Sequence, residues 1–274
     1  MTGLSLSLVR GAVTSPFKRA GRPGAALPAD REVLPPGRVA PGPLAAYSRV
    51  CGFAESGPLP PTYPHVMGFP AAMRLMTARD FPLPVLGLVH TRIEITAHRA
   101  LHPTDELELT VYADGLTPHR RGTEVTMVTE ARLAGALVWE SRSGYLSRHA
   151  TGTTTPPSAP PAPPPELPAT AEWRLPEDLG RRYGAASGDR NPIHLHPVTA
   201  RLFGFPRHIA HGMWTVARCL AEAGTGPGRI RSVRADFKAP VPLPSTVTYA
   251  AEGAAFQVRG GDRVHLTGSM SREG

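Results

Sequence analysis

The feature that most limits how this chain can fold is a proline run just past its middle. Eight prolines fall between Pro156 and Pro168, directly after Thr151-Gly152-Thr153-Thr154-Thr155. Proline lacks an amide hydrogen and fixes φ, so neither a helix interior nor a central strand can run through such a segment. Residues 151–170 therefore read as an extended polyproline II spacer between two folded units. At about 3.1 Å per residue, the stretch from Pro156 to Pro168 would reach roughly 40 Å, enough to cross one face of a domain. Proline-rich stretches also serve as ligands of SH3-type modules, but alternation with alanine and a place between two patterned halves favour the spacer.

The halves repeat one order of elements. Before the run, Val66 to Thr77 reads as a helix, followed by alternating apolar and polar stretches at His90–His98, Glu106–Ala113, Thr123–Arg132 and Ala136–Leu146. After it, Gly212 to Ala223 reads as a helix, followed by Ser232–Lys238, Thr246–Ala251, Ala255–Arg259 and Val264–Ser269. Each half is thus expected to be one central helix followed by an antiparallel meander, the helix burying its apolar face on the sheet. Met213, Val216, Ala217 and Leu220 recur at helical spacing, as a central helix requires. A local echo, His98-Arg99-Ala100 against Phe237-Lys238-Ala239, supports duplication by placing Arg99 and Lys238 at matching points. The expected domains are a loosely ordered or draped segment 1–40, a first unit 41–150, the linker 151–170 and a second unit 171–274.

Charge and cysteine usage remove several function classes. The net charge is +8, but only Lys18 and Lys238 are lysines, and the arginines are scattered with no run of five or six. That pattern argues against a nucleic-acid partner and leaves an anionic small ligand or an acidic carrier protein. Cys51 and Cys219 form no CxxC pair, so they read as small buried hydrophobes, with no disulfide framework or thiolate metal site. No apolar run approaches a membrane span, and Leu4–Val9 is a poor signal peptide, so a cytoplasmic location is expected.

Chemistry concentrates in Arg181–Phe205 and the HIAHGMW segment that follows. Gly188 suits a tight turn, Pro192 forces Asn191 into an extended conformation, and Pro197 suits the first turn of a short helix through Phe203. The loop between holds Asp189 and His194 where both side chains can converge. Two proton acceptors within reach of one water are what hydration of a double bond requires. Run backwards, the same pair removes a proton alpha to a carbonyl and protonates a departing hydroxyl. Enolate charge then develops on the carbonyl oxygen, and the Gly212 amide at the start of the central helix can stabilise it.

These residues carry a resemblance. Gly188-Asp189-Arg190-Asn191-Pro192-Ile193-His194, followed by Ala210-His211-Gly212-Met213, resembles the hydration motif of the MaoC-like (R)-specific enoyl-thioester hydratases and dehydratases. Tyr63-Pro64, Phe69-Pro70, His90-Thr91 and His119-Arg120-Arg121-Gly122 resemble the double-hotdog members found in actinobacteria, so the likeness spans roughly residues 40–270. It implies an α+β double hotdog fold. It further implies Asp189 and His194 as catalytic residues, Gly212 as the oxyanion amide and Asn191 as the residue ordering the loop. Substrates would be trans-2-enoyl or (3R)-3-hydroxyacyl thioesters of coenzyme A or acyl carrier protein, with no cofactor. Some single-hotdog members carry a serine about two turns after the motif glycine to hold the catalytic aspartate; Leu220 stands there in this chain. The first half has no GDxNPxH. Its matching region, Cys51–His65, offers only Glu55 and His65, and the resemblance implies a catalytically silent copy whose core accommodates a longer acyl chain.

Two rival readings remain at this stage. His194, His196, His208 and His211 with Asp189 have spacings compatible with a metal site, although the reaction calls for none. A non-catalytic acyl-thioester or carrier-protein binding subunit is the other, since a hotdog fold alone decides nothing; such a module has no reason to keep the Asp189 and His194 pair. Arg99 and Lys238 are candidates for the phosphates of coenzyme A or for an acidic carrier protein. Because the linker supplies the second hotdog in the same chain, a monomer of two fused hotdogs is the minimal unit, with a homodimer also open.

Overall fold

The computed structural model describes Lys18 and residues 25–151, 164–224 and 228–273. Among these, ten strands form one antiparallel sheet in the order β1-β3-β4-β5-β2-β7-β10-β9-β8-β6. In the first half β1 is Arg31–Gly37, β2 Val89–Ala97, β3 Leu107–His119, β4 Gly122–Leu133 and β5 Ala136–Arg148. In the second, β6 is Ala169–Leu175, β7 Ile230–Phe237, β8 Ser245–Glu252, β9 Ala255–Gly260 and β10 Arg263–Arg272. The order is palindromic about the β2–β7 seam, where Arg92 faces Asp236 and Thr96 faces Ser232. Two copies of one five-stranded unit thus lie edge to edge, the α+β double-hotdog arrangement. Joining at the seam gives each inner edge strand a partner, so neither is left as an open template.

Among the described residues, six helices accompany the sheet. These are α1 (Pro41–Cys51), α2 (Tyr63–Thr77), α3 (Leu179–Ser187), α4 (Pro192–Leu195), α5 (Pro197–Leu202) and α6 (Gly212–Ala223). The helices read as central are α2 and α6, and α6 has the bounds its periodicity predicts. Val216, Ala217, Cys219 and Leu220 of α6 are fully buried with Ile93 and Ile95 of β2 and Val233 and Ala235 of β7, in one core that crosses the seam.

The structure departs from the sequence expectations at both sheet edges. Part of the segment expected to be loose, Arg31–Gly37, is an edge strand paired with β3, and its register slips between Leu34 and Gly37. The slip falls at Pro35-Pro36, which have no amides for a ladder and are tolerated only at an edge. At the other edge, β6 already begins at Ala169 and pairs with β8, so the expected linker includes strand; its residues 152–163 lie outside the described residues. Helices α1 and α3 were also not foreseen. Their sequences, PGPLAAYSRVC and LGRRYGAAS, are proline- and glycine-marked, and they gain their stability by packing on each other.

The echo that suggested duplication is displaced by one residue. The Lys238 amide donates to the His265 carbonyl, and it is His98, not Arg99, whose amide makes the corresponding bond, to Val138.

Candidate active site

Helix α3 builds the site. It ends at Gly188, whose φ of 80° is left-handed, a conformation glycine adopts without steric cost. The chain then doubles back over the helix it has just left. A Cβ on Gly180 would lie 1.9 Å from the His194 carbonyl oxygen, and one on Gly184 would lie 2.8 Å from the Asp189 carbonyl oxygen. The two glycines, one turn apart, leave bare backbone on which the segment 189–194 rests. Pro192 opens the one-turn helix α4, and the Asn191 side chain accepts from the Ile193 amide at 3.4 Å. His194 therefore rides on a helical turn rather than on the irregular loop expected for it.

The Asp189 carboxylate keeps 27% of its side-chain surface accessible, so it faces space that solvent can reach. Its Oδ1 accepts from the Asn191 amide at 3.1 Å, and its own amide donates to the Ser187 hydroxyl at 3.2 Å. The remaining restraint comes from His211, whose Nε2 donates to the Asp189 carbonyl oxygen at 2.9 Å and lies 3.9 Å from Oδ2. His211 stacks on His194 with ring centroids 3.7 Å apart and is braced by Tyr183 at 4.7 Å. His211 thus both packs beside Gly212 and hydrogen-bonds the backbone of Asp189. Leu220, at the serine position, is wholly buried in the core.

His194 Nδ1 lies 2.8 Å from the Ile209 carbonyl oxygen. A carbonyl can only accept, so Nδ1 carries the hydrogen and Nε2 is left with a free lone pair. Burial pushes His194 below the ordinary imidazole range, and the nearby Asp189 charge opposes that shift. Burial pushes Asp189 up, opposed by His194 and the Asn191 amide. The two proton affinities are drawn towards each other, which suits a pair that passes a proton back and forth.

Gly212 is the first residue of α6, beside His211, where helix amides lack intrahelical partners. A Cβ there would meet the Phe237 ring at 2.8 Å, so only glycine admits this ring. Asp189, His194 and His211 thus come together, and Gly212 follows His211 directly in the chain. Lys238 follows Phe237 directly and pairs with Asp236 at 3.5 Å. Arg99 is elsewhere, bonded to Asp105 and lining a cavity with Pro58, Pro64 and Trp139.

Asp189, His194 and His211 each offer a ligand atom, all within 4.8 Å of one another. Stacked imidazoles direct their in-plane lone pairs side by side rather than at a common point, and His211 Nε2 is already donating to a carbonyl. The trio is built for hydrogen bonding. His196 instead accepts from the Val198 amide as a helix cap, and His208 Nε2 donates to the Glu177 carbonyl oxygen, so neither joins the cluster.

In the first half, α1 likewise ends at a left-handed glycine, Gly52 with φ 85°. Counting from the two caps, Phe53 stands where Asp189 does and Pro58 where His194 does. Glu55 is solvent-facing and held by Arg49, while His65 is buried on α2 against Ser141.

The family of the MaoC like domain matches residues 153–270. The 3-hydroxyacyl-thioester dehydratase X of Mycobacterium tuberculosis is 40% identical over 217 residues, 78% of this chain and 77% of that protein. The chain belongs to the MaoC-like family. A 3-hydroxybutyryl-CoA dehydratase of Methylorubrum extorquens is 38% identical over 76 residues, 26% of this chain and 48% of that one. Among solved structures, HtdX of Mycobacterium tuberculosis superposes with TM-score 0.78 and 35% identity, covering 88% of this chain and 99% of that chain. A double-hotdog protein of the same organism shares the fold at TM-score 0.55 and 13% identity, over 89% and 96% of the two chains. This MaoC-like chain therefore has a relative of matching extent on both sides of the proline run.

Proposed function

We propose that this protein reversibly hydrates trans-2-enoyl thioesters, the reverse being dehydration of (3R)-3-hydroxyacyl thioesters. The observation that carries this reading is the free Nε2 of His194 beside the accessible Asp189 carboxylate, with Gly212 opening α6 next to His211. One water can hydrogen-bond to both side chains. His194 takes a proton from it as its oxygen adds to Cβ, and the thioester oxygen gathers negative charge facing the Gly212 amide. Cα is then protonated from the pair. One proton is taken and one is given, so the pair returns to its starting charge and the steps reverse for dehydration. Asn191 orders the turn that carries His194, and His211 orients Asp189.

The first hotdog is the catalytically silent copy, in keeping with Phe53 and Pro58 at the two key positions. The acyl carrier is coenzyme A or an acidic carrier protein, with Lys238 at the phosphate end. Arg99 faces the silent side and is the weaker candidate. Lys238→Glu should raise KM for a coenzyme A thioester in a salt-sensitive way with little change in kcat; a KM equal to wild type at low and high salt removes Lys238 from the binding site. The minimal unit is one chain of two fused hotdogs, working in the cytoplasm. Among the described residues, no helix is long and apolar enough to cross a membrane.

The test is a hydration assay on the purified chain with enoyl-coenzyme A substrates of several chain lengths, with chiral analysis of the product. The expected product is the (3R)-3-hydroxyacyl thioester. Binding without turnover at every chain length would make the protein an acyl-binding subunit instead, and a (3S) product would overturn the active-site geometry.

A further inference from the structure

One wall of the candidate active site belongs to the first repeat. The seam pairs Arg92 with Asp236, and two residues before Arg92, past a bulge in β2, His90 lies beside Phe237. The Phe237 ring that packs on Gly212 also meets the His90 ring, centroids 4.7 Å apart. His90 stacks on Tyr145, its register partner on β5, at 4.5 Å and 17°. Tyr145 is close enough to Asp189 for the carboxylate charge to add to the effect of burial in holding its phenol protonated. A continuous aromatic wall thus runs from Gly212 through Phe237 and His90 to Tyr145.

This wall contains one polar atom that packing does not explain, while the Tyr145 hydroxyl bonds Ser143. His90 Nε2 is closed off from solvent and has no hydrogen-bond partner. Leaving a buried polar atom unpaired costs about 1–3 kcal/mol; the ring also bonds the Arg92 backbone, so it is Nε2 alone that the fold does not account for. Burial keeps His90 neutral, with a pKa of about 3, so it offers a hydrogen bond and not a charge.

The silent repeat supplies the comparison. Ala97 pairs with Trp139 as Phe237 pairs with Leu266, each ahead of the matching His98 and Lys238 amide bonds, so Ala97 corresponds to Phe237. Seven residues earlier in each strand, Ile230 corresponds to His90. Ala97 and Ile230 line a cavity of about 40 Å³ together with Pro58, Pro64 and Trp139. Where the Asp and His pair is missing, the imidazole is also replaced by an aliphatic side chain.

The geometry points to His90 and Tyr145 as substrate-contacting residues that the first repeat contributes to the second repeat's active site, hydrogen-bonding the polar thioester end of the bound substrate across from Gly212. The inference rests on the hydratase reading of that site. It makes the fusion of the two hotdogs a requirement of the site as well as of the sheet.

The experiment is His90→Phe and Tyr145→Phe in the full chain, since each keeps the ring and removes the polar atom. Kinetics with crotonyl- and longer enoyl-coenzyme A, melting temperature, and calorimetric binding of butyryl-coenzyme A are measured on each variant and on wild type. Each variant should lose about tenfold or more in kcat/KM, because a hydrogen bond realised only with substrate is missing. His90→Phe should melt near the wild-type temperature, since it removes the unpaired buried nitrogen together with the bond to the Arg92 backbone. His90→Gln should recover part of the activity. Values of kcat/KM within twofold of wild type in both phenylalanine variants overturn the assignment. If wild type binds butyryl-coenzyme A but never turns over an enoyl thioester, the hydratase reading fails. In that case tenfold weaker binding by the variants sustains the contact, and unchanged binding overturns it.

Discussion

At the scale of single residues, what matters is which nitrogen of His194 carries the hydrogen. The Ile209 carbonyl fixes it on Nδ1, and that leaves Nε2 free to serve as the base of the proposed reaction. Asp189→Asn and His194→Ala should each lower kcat by about 10²- to 10⁴-fold, the usual range for losing a general acid or base. Because both act on one water, the double variant should be little worse than the poorer single variant. Near-normal turnover in either single variant removes that residue from the mechanism. The pH dependence carries a sign. The base must be neutral, and burial lowers the His194 pKa from its ordinary 6.5, so the acid limb of kcat/KM should fall below pH 6.5. Asp189 raises that pKa, so in Asp189→Asn the residual activity should show its acid limb at still lower pH. A limb that moves upward contradicts the assignment.

At the scale of elements, the turn that carries Asp189 and His194 is held by what α3 lacks. Gly180→Ala would put a Cβ 1.9 Å from the His194 carbonyl oxygen, and neither backbone can yield without moving α4 off its helix. The expected outcome is a loss of kcat of a hundredfold or more, with a destabilisation of about 1–3 kcal/mol, the usual cost of overpacking. Gly42→Ala on α1 has open space around it and should be neutral or slightly stabilising, by about 0.5–1 kcal/mol. Equal behaviour of the two variants in melting and turnover would mean that the close approach of α3 and α4 is not a constraint. The same logic places Phe237 on Gly212, where a methyl group would push the ring away from His90.

At the scale of the whole molecule, buried neutral histidines tie stability to pH. Burial brings His65 to about 4 and His90 to about 3, and lowers His194 and His211 as well. Each folded-state pKa lies below the unfolded value, so between the two the unfolded chain binds more protons. Stability is then fully present above about pH 6.5 and is lost as pH falls towards the folded pKa values. Asp189, with its pKa raised, acts in the opposite sense but is one group against these four and His265, which burial also lowers. The melting temperature should therefore drop steadily from pH 7 to pH 4, and His90→Phe should flatten that slope. A slope in the variant as steep as wild type would mean that His90 is not buried in solution. The histidines lie on both sides of the β2–β7 seam, so acid should loosen the two hotdogs together.

The sequence by itself determined the repeat and the second-half motif. Both are local in the chain: strand alternation and helical spacing are read within ten or so residues, and Gly188, Asp189, Asn191, Pro192 and His194 sit in one turn whose conformation proline and glycine dictate. The bounds of α6 follow from the same local signal. The tertiary structure alone decided the rest. The Pro35-Pro36 strand reads as irregular because it exists only as an edge partner of β3, and α1 and α3, proline- and glycine-marked, are helices because each packs on the other. His211 could be recognised as the group that orients Asp189 only once α6 and the turn after α3 were in contact, 22 residues apart in the chain. His90 and Tyr145 were further out of reach, since they belong to the other repeat and arrive through the pairing of β2 with β7. Contacts between distant segments leave no period in the sequence, because each partner's side chain is compatible with many neighbours until the sheet fixes one.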